Sequence, residues 1–219
     1  MRGTEPGPVD PGDLTIVPAN EAAWADLAAI FGPSGSSGRC NCQWFKTRGW
    51  FWDQETDEQR RAQLREQANC DDPEATSTTG LVAYLAEGSQ PAAERVPVGW
   101  VAVEPRTAYP RLLGKPTVWK GRPGEDKGDD GVWSVTCFVV RKGYRGRGIS
   151  YALAAATVRY AKANGARALE GYAIRTQPGK QVTWGELYVG AVQVFAEAGF
   201  AEVSTPSVRR VVMRVDFTG

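Results

Sequence analysis

Histidine is absent from this 219-residue sequence. Without an imidazole, the chain can form neither a Ser-His-Asp nor a Cys-His catalytic arrangement, and it cannot build a metal site that uses histidine ligands. Any acid–base step must therefore use carboxylates, tyrosine, cysteine, lysine, water or the backbone.

The sequence also lacks a long apolar run. No stretch approaches the roughly 20 apolar residues that cross a bilayer, so we expect no membrane partner. Residues 1–12 contain three prolines and three glycines, and no apolar core of the kind found in signal peptides. The sequence therefore predicts a disordered N-terminal arm over residues 1–12, a single domain over residues 13–219 and a cytoplasmic location.

An excess of charge of either sign is missing too. Lys and Arg number 26 and Asp and Glu number 25, which gives a formal net charge of +1. Nucleic-acid-binding proteins usually show a strongly basic balance or a basic stripe. We therefore expect no nucleic-acid partner.

The few cysteines are poorly spaced for a metal. One residue separates Cys40 from Cys42, whereas zinc sites often have ligands separated by two to four residues, and only Cys70 and Cys137 remain. In a reducing cytosol these side chains are expected to be thiols rather than disulfides. The sequence therefore predicts no metal site.

Hydrophobic periodicity and turn residues predict an α+β protein with a mixed sheet and covering helices. The predicted strands are Leu14–Val17, Leu81–Ala86, Val98–Glu104, Trp133–Val140, Ala168–Ile174 and Val208–Phe217. The predicted helices run from an Asn20 cap to Ile30, from a Thr56 capping box to Asn69, from a glycine-rich turn to Ala163, and over Glu186–Ala198. Phe31–Gly38 is predicted as a loop and Pro105–Asp130 as an excursion over the surface.

The glycine-rich turn joins the strand Trp133–Val140 directly to the following helix. Its glycines let the backbone fold tightly with its N–H groups facing one concavity, and the helix adds unpaired N-terminal donors and the positive end of its dipole. These glycines are Gly143, Gly146 and Gly148, and the cations among them are Arg141, Lys142, Arg145 and Arg147. The turn is therefore predicted to bind a ligand with more than one phosphate.

Two common phosphate motifs do not fit this turn. A Walker A loop needs Lys and then Ser or Thr after its last glycine, but Ile149-Ser150 follows Gly148. A dinucleotide fingerprint that starts at Gly146 would need a glycine where Tyr151 stands. The phosphate ligand is therefore expected to be of another kind.

The pattern Arg145-x-x-Gly148-x-Ser150 resembles the pyrophosphate loop of the GNAT superfamily of acyl-CoA N-acyltransferases, with Ser150 replacing the usual small last residue. The resemblance covers Leu81 to Phe217 in the order of elements and is sharpest over Cys137–Leu153 and Phe195–Phe200. It implies a mixed, mostly antiparallel sheet of about seven strands with about four covering helices. It also implies acetyl-CoA as acyl donor and an amine as acceptor.

The resemblance assigns the coenzyme to two neighbouring stretches. The backbone amides that would hold the pyrophosphate of coenzyme A belong to Arg145, Gly146, Arg147, Gly148, Ile149 and Ser150. The backbone that would pair with the pantetheine arm and polarise the thioester carbonyl belongs to Phe138, Val139 and Val140. A glycine-rich connector with solvated arginines is the alternative.

The general acid departs from the family pattern. Many relatives carry a tyrosine near the end of their fourth helix that protonates the departing thiolate, and Phe195 stands at that position here. The asparagine common seven residues earlier is replaced by Tyr188, which a continuous helix would place on the same face about two turns away. Tyr188 is thus a candidate general acid. A packed helix tyrosine, with solvent as the proton donor, is the alternative.

The sequence offers two candidates for the general base. An amine acceptor is mostly protonated at neutral pH and must lose a proton before it attacks. Glu104 ends one predicted strand, and Glu170 lies near the start of another. Either carboxylate could remove that proton directly or through water. Of the two, Glu104 is the predicted general base. For each, a solvated carboxylate at a strand end is the alternative.

The densest aromatic cluster lies between the first two predicted helices, at Trp44, Phe45, Trp50, Phe51 and Trp52. The resemblance places the acceptor beneath this segment. Trp44 and Phe45 are therefore candidate substrate-binding residues, together with Tyr172 of the strand Ala168–Ile174. A small hydrophobic core under the loop is the alternative.

These features predict acetyl-CoA-dependent N-acetylation of a small-molecule amine, by direct transfer in a ternary complex, in a monomer or homodimer. Cys137 lies near the proposed thioester, but a strand cysteine is usually inert, so no acetyl-cysteine intermediate is expected. The alternative from another class is a non-catalytic acyl-CoA-binding sensor or scaffold, because the usual tyrosine and asparagine are missing.

Overall fold

The computed structural model of the protein describes residues 7–87, 94–176 and 182–217. Within these ranges, seven strands form one sheet in the order β1-β2-β3-β4-β5-β7-β6. The strands are β1 Leu14–Pro18, β2 Gly80–Glu87, β3 Glu94–Pro105, β4 Val132–Val140, β5 Ala168–Ile174, β6 Ala201–Ser207 and β7 Arg210–Asp216. The α+β class with a seven-stranded mixed sheet is thereby confirmed.

The pair β4–β5 is parallel, whereas the other neighbours in the sheet are antiparallel. The parallel pairing joins Val132–Val135 to Ala168–Gly171 and goes no further. Beyond Val135 and Gly171 the two strands separate, so the sheet has an opening in its middle.

Seven α-helices occur within the described residues, and several are short. They are α1 Trp24–Phe31, α2 Gly35–Cys40, α3 Asp57–Ala68, α4 Pro110–Leu113, α5 Ile149–Ala163, α6 Trp184–Leu187 and α7 Val192–Glu197. The capping box predicted at Thr56 is present, since its hydroxyl accepts from the Gln59 N–H and the Gln59 side chain accepts from the Thr56 N–H. None of the helices in these ranges is long and apolar enough to cross a membrane.

α1 and α5 cover opposite faces of the sheet. A Cβ built on Gly99 of β3 would lie 2.9 Å from the Ile149 side chain, so α5 packs directly on that face. The next residue, Trp100, points the other way and lies 6.0 Å from the ring of Phe31 in α1, measured between ring centroids. Because strand side chains alternate between faces, these two residues identify an α5 face and an α1 face.

The predicted helix Glu186–Ala198 is wrong as a single element, because it is α6 and α7 with a turn between them. Gly190 in that turn has φ +84°, a left-handed conformation that suits glycine. A Cβ there would lie 2.6 Å from the Phe195 ring and 2.8 Å from the Phe138 ring. Tyr188 and Phe195 therefore do not share one helical face.

Two other predicted ends are wrong. The single last strand Val208–Phe217 is the second half of a hairpin, β6–β7. Asn20 does not cap α1, whose N-cap is Ala23; instead its side-chain amide donates to the backbone oxygens of the loop after α3, those of Asp72, Pro73 and Ala75. The predicted loop Phe31–Gly38 contains the start of α2.

The segment between β3 and β4 is not a simple surface excursion. Several of its side chains are buried, namely Arg106, Tyr109, Leu112, Val118 and Trp119. They pack with Tyr172 of β5 and Val212 of β7, so the segment covers part of the α1 face.

A buried charge cluster fixes this segment to the sheet. Glu170 of β5 is fully buried and forms ion pairs with Arg106 at 3.3 Å, with Arg214 of β7 at 3.0 Å, and with Arg122. Glu125 joins the same three arginines from the segment itself. Glu170 is therefore not the solvated strand-end carboxylate that the sequence suggested.

The structure describes the predicted N-terminal arm from Gly7 onwards, and residues 1–6 lie outside the described residues. The Val9 N–H donates to the Arg147 carbonyl at 3.0 Å, and Arg147 Nε donates to the Gly7 carbonyl at 3.1 Å. Val9 also packs against the core on the α5 face. These contacts hold residues 7–12 against the glycine-rich turn.

The charge cluster generates the first prediction. Glu170→Gln should lower the free energy of unfolding by about 3–5 kcal/mol, because it leaves buried guanidinium groups without compensation. Glu202→Gln is the matched control: its ion pair with Arg175 is exposed, so the loss should be at most about 1 kcal/mol. Urea unfolding measures both, and equal losses would contradict a structural role for the cluster.

Candidate functional site

A small cavity of about 150 Å³ lies beside the glycine-rich turn. Its walls come from β4, from the turn and from the segment between α6 and α7, and they include Phe138, Val140, Arg145, Gly146 and Ser150. Phe138, Val140 and Val194 of this wall belong to the core on the α5 face. The cavity is therefore on the α5 side of the sheet.

The turn has the backbone geometry of a candidate anion site. Gly143, Gly146 and Gly148 have φ of +95°, +74° and +84°, and a Cβ on any of them would meet nothing within 4 Å. Gly148 is the N-cap of the 15-residue helix α5 and supplies no side-chain cap. The Tyr151 N–H donates to the Gly148 carbonyl, so the N–H groups of Ile149 and Ser150 are the candidate donors to a ligand. The open space and the donors together fit a pyrophosphate.

The arginines of the turn brace its backbone. Arg145 Nε donates to the Val140 carbonyl at 3.1 Å, and Arg141 donates to the Pro97 carbonyl at 3.2 Å. Arg147 lies over the ring of Tyr144 at 5.7 Å. These contacts place positive charge around the rim of the anion site.

The opening between β4 and β5 is held by the segment that follows α6. The Phe138 N–H of β4 donates to the Tyr188 carbonyl at 2.6 Å, and the Ile174 N–H of β5 donates to the Gly190 carbonyl at 2.9 Å. Since backbone groups alternate along a strand, the N–H of Val140 faces the same edge as that of Phe138. The Phe138 N–H is thus used within the protein, and the Val140 N–H is the one directed at the small cavity.

A larger cavity of about 620 Å³ lies on the α1 face. Its walls are mainly aromatic and aliphatic, and they include Trp44, Phe45, Trp52, Leu112, Val118 and Tyr172. The segment between β3 and β4, anchored by the buried charge cluster, forms one side. The structure thus brings the predicted acceptor residues Trp44, Phe45 and Tyr172 into one cavity.

In the part of the chain that the structure describes, Tyr188 is the residue shared by the walls of both cavities. Its backbone carbonyl is bound to β4 at the opening, and its hydroxyl lies 2.9 Å from the Ser36 hydroxyl in the larger cavity. The two cavities therefore approach each other from opposite faces at this half-buried side chain.

Phe195 lines neither cavity in the described part of the chain, but it packs directly against Phe138 of the small cavity's wall. It is fully buried, and its ring packs edge-on against Phe138 at 5.6 Å and Phe200 at 5.1 Å, between centroids. A Cβ on Gly171 would lie 2.3 Å from the ring. The phenyl ring has no proton to donate, so the position to which the resemblance assigned the acid carries no acid here.

Glu104 also lies outside both cavities. Its carboxylate is 2.6 Å from Lys46 Nζ and accepts from the Thr79 hydroxyl. It is not among the described residues that line either cavity. The structure gives this candidate base no direct route to an acceptor.

Three cysteines line the larger cavity. Burial raises the pKa of Cys40 to about 11, and the pKa of Cys137 is raised by its hydrogen bond with Cys42 and by burial. Trp100 Nε1 donates to Cys42 Sγ at 3.1 Å. At neutral pH Cys40 and Cys137 are therefore thiols. In the described ranges no three His, Cys, Asp or Glu side chains are arranged to hold a metal ion.

Some of the coenzyme-binding residues predicted from the sequence line the small cavity, and the others lie next to it. Phe138, Val140, Arg145, Gly146 and Ser150 line the small cavity. Val139 and Ile149 are buried in the core on the two faces, while Arg147 and Gly148 shape the turn.

Three cations of the larger cavity, Arg39, Lys115 and Arg210, did not emerge from the sequence. They are far apart in the chain, and no local pattern marks them. The packing of α2, of the segment between β3 and β4 and of β7 brings them together.

Comparison with known proteins identifies the family. The model described as the acetyltransferase (GNAT) family matches residues 44–178, which is more than half of the chain. The protein therefore belongs to the GNAT acetyltransferase family, whose members use acetyl-CoA. No curated protein matches the sequence.

Three solved structures are similar to this chain to different extents, and the first of them shares its fold. A GCN5-related N-acetyltransferase from Kribbella flavida superposes with a TM-score of 0.51 and 19% identity, over 95% of this chain and 100% of that chain. A GNAT-family acetyltransferase from Bacillus anthracis has a TM-score of 0.49 and 12% identity, over 93% and 95%. A putative acetyltransferase from Salmonella typhimurium, with its cofactor acetyl-CoA, has a TM-score of 0.48 and 12% identity, over 93% and 94%.

The second prediction concerns the turn. Gly148→Val should abolish coenzyme A binding in calorimetry, because a β-branched residue resists the left-handed backbone that presents the N–H groups. Gly165→Val is the matched control, since Gly165 also has a left-handed φ, of +79°, and open space, but lies beyond the other end of α5. Both variants should lose similar stability. Normal coenzyme A affinity in a folded Gly148→Val protein would contradict the prediction.

Proposed function

We propose that the protein is an acetyl-CoA-dependent N-acetyltransferase that acts on the amine of a small molecule by direct transfer. The observation that carries this proposal is the meeting of two cavities at Tyr188, in the opening between β4 and β5. The α5-side cavity adjoins the anion site, and the α1-side cavity has the size of a small-molecule pocket. A donor on one face and an acceptor on the other would meet at this opening.

The residues present fit acetyl-CoA. The turn Gly146–Gly148 and the start of α5 would hold the pyrophosphate through backbone N–H groups, with the rim arginines adding charge. Val140 offers an N–H to the pantetheine arm at the small cavity. When bound there, acetyl-CoA supplies an acetyl thioester.

We assign Tyr188 the role of proton donor to the departing sulfur. Its hydroxyl can donate to a thiolate in the opening while it accepts from Ser36. The amine nitrogen forms the new bond to the acetyl carbon as the carbon–sulfur bond breaks. The amine loses one proton and the sulfur gains one, so the products are an amide and coenzyme A.

Water is the proposed acceptor of the amine proton. Glu104 is bound to Lys46 and lies outside the cavities, and Glu170 is enclosed by arginines. The part of the larger cavity wall that the structure describes contains no Asp or Glu. The acceptor would therefore bind as, or become, a neutral amine without a carboxylate base.

Direct transfer is favoured over an acetyl-cysteine intermediate. A cysteine nucleophile reacts as the thiolate. The raised pKa values of Cys40 and Cys137 keep both in the thiol form at neutral pH. Their role in the cavity is then that of small apolar wall residues.

The proposal is tested by incubating the protein with acetyl-CoA and a panel of small amines, and by following release of the coenzyme A thiol. Acetylation of at least one amine supports it. Tight acetyl-CoA binding without turnover of any amine would instead support the sensor or scaffold alternative, which the missing hydroxyl at Phe195 motivates.

The third prediction tests Tyr188. Tyr188→Phe should lower kcat by roughly 100-fold or more, with little change in coenzyme A affinity, because the proton donor is lost while the backbone contact to Phe138 remains. Tyr160→Phe is the control, since this half-buried tyrosine of α5 packs on Trp133 and lines neither cavity. An unchanged kcat in Tyr188→Phe would mean that solvent protonates the sulfur.

A further inference from the structure

The larger cavity carries positive charge without a matching negative charge. Arg39, Lys115 and Arg210 line it, and no Asp or Glu is among the described residues of its wall. Within the described ranges none of these three side chains has an ion-pair partner, whereas the fully buried Arg106 on the α1 side is paired with Glu125 and Glu170. Arg39 and Lys115 are exposed, and Arg210 is half-buried.

Arg210 is the most enclosed of the three cations. It lies at the start of β7, two residues before Val212, so both side chains project from the α1 face into the cavity wall. Its neighbour Arg209 is paired instead with Glu186 at 2.9 Å. Burial lowers the pKa of Arg210 from its ordinary value, although the nearby charge of Glu186 acts to raise it. The half-buried guanidinium is therefore less hydrated than an exposed one. An anion brought to this side chain would be bound more strongly than at an exposed arginine.

We infer that the acceptor is a small amino-carboxylate, such as a free amino acid with an apolar side chain; the inference rests on the function proposed above. The carboxylate would bind Arg210, with Arg39 and Lys115 at the more exposed part of the wall. The aromatic and aliphatic wall would cover the apolar body, and the amine would point to Tyr188.

The same charges act on the amine. A cation close to an ammonium group disfavours its charged form, so the pKa of the bound amine falls and the neutral nucleophile becomes more abundant. This effect offers a reason why the cavity can work without a carboxylate base. Polyamines and other polycations would be repelled, because the described wall offers them no negative charge.

The test compares matched acceptors in the acetyl-transfer assay. L-Phenylalanine, L-leucine and 6-aminohexanoate are each paired with their primary amide, and spermidine serves as the polycation. We expect kcat/KM for at least one acid to exceed that of its amide by roughly tenfold or more, which is the usual effect of a charge-assisted hydrogen bond. For the α-amino acids the comparison is conservative, because their amides carry less basic amines that are more fully deprotonated at neutral pH.

The variant Arg210→Met tests whether the preference for the acid over its amide depends on the larger cavity. This variant should remove the preference by lowering kcat/KM for the acid, while kcat/KM for the amide and the KM for acetyl-CoA change little. Arg175→Met is the matched control: it removes one arginine next to β5 whose partner is Glu202, outside the cavity wall, and should preserve the preference.

The following outcomes would overturn the inference or separate it from the proposed function. Faster turnover of the amides or of spermidine would overturn it and leave the proposed function standing. A raised KM for acetyl-CoA in Arg210→Met would overturn it as well, because the cation would then serve the donor. If no amine is acetylated, calorimetry in the presence of coenzyme A replaces the assay. Binding of an acid over its amide that depends on Arg210 would support the ligand class and contradict the proposed function, whereas equal binding would overturn the inference.

Discussion

The separation of β4 from β5 is the constraint on which the site depends. The two strands pair over Val132–Val135 and Ala168–Gly171 and then diverge. Beyond this point the Phe138 N–H donates to the Tyr188 carbonyl and the Ile174 N–H donates to the Gly190 carbonyl. Without those two hydrogen bonds, buried polar groups of both strands would lack partners. The same segment delivers the side chain of Tyr188 to the opening. The segment that follows α6 thus does two things at once. It accepts hydrogen bonds from the separated strands, and it places the candidate acid Tyr188 at the opening.

The cavity on the α1 face depends on a second, more distant constraint. Glu170 and Glu125 bind Arg106, Arg122 and Arg214 and so hold the segment between β3 and β4 against β5 and β7. That segment carries Leu112, Lys115 and Val118 of the cavity wall. Glu125 and Glu170 are both bound to these arginines and do not line the larger cavity. The charged side chains in the described wall of that cavity are therefore cations.

Local patterns predicted the parts of the fold that local chemistry determines. The capping box at Thr56, the strand Ala168–Ile174 and the helix that ends at Ala163 were all predictable, because each is defined by neighbouring residues. The glycine-rich turn was predictable for the same reason, since closely spaced glycines before a helix favour a tight turn with left-handed backbone angles.

The remaining features depend on contacts between distant residues. The break at Gly190 follows from the rings of Phe138 and Phe195, which crowd its position. Asn20 looked like a helix cap but is bound to the loop after α3. Arg39, Lys115 and Arg210 carry no local signature. They lie on α2, on the segment between β3 and β4 and on β7, and tertiary packing brings these elements together around the larger cavity.

The most direct measurement is a crystal structure of the protein with coenzyme A. The account predicts the pyrophosphate on the N–H groups of Gly146–Gly148 and the start of α5, and the pantetheine arm in the opening between β4 and β5. The sulfur should lie within about 3.5 Å of the Tyr188 hydroxyl, on the side that faces the larger cavity. A pantetheine arm that runs outside the opening, or a sulfur that ends away from Tyr188, would contradict the account.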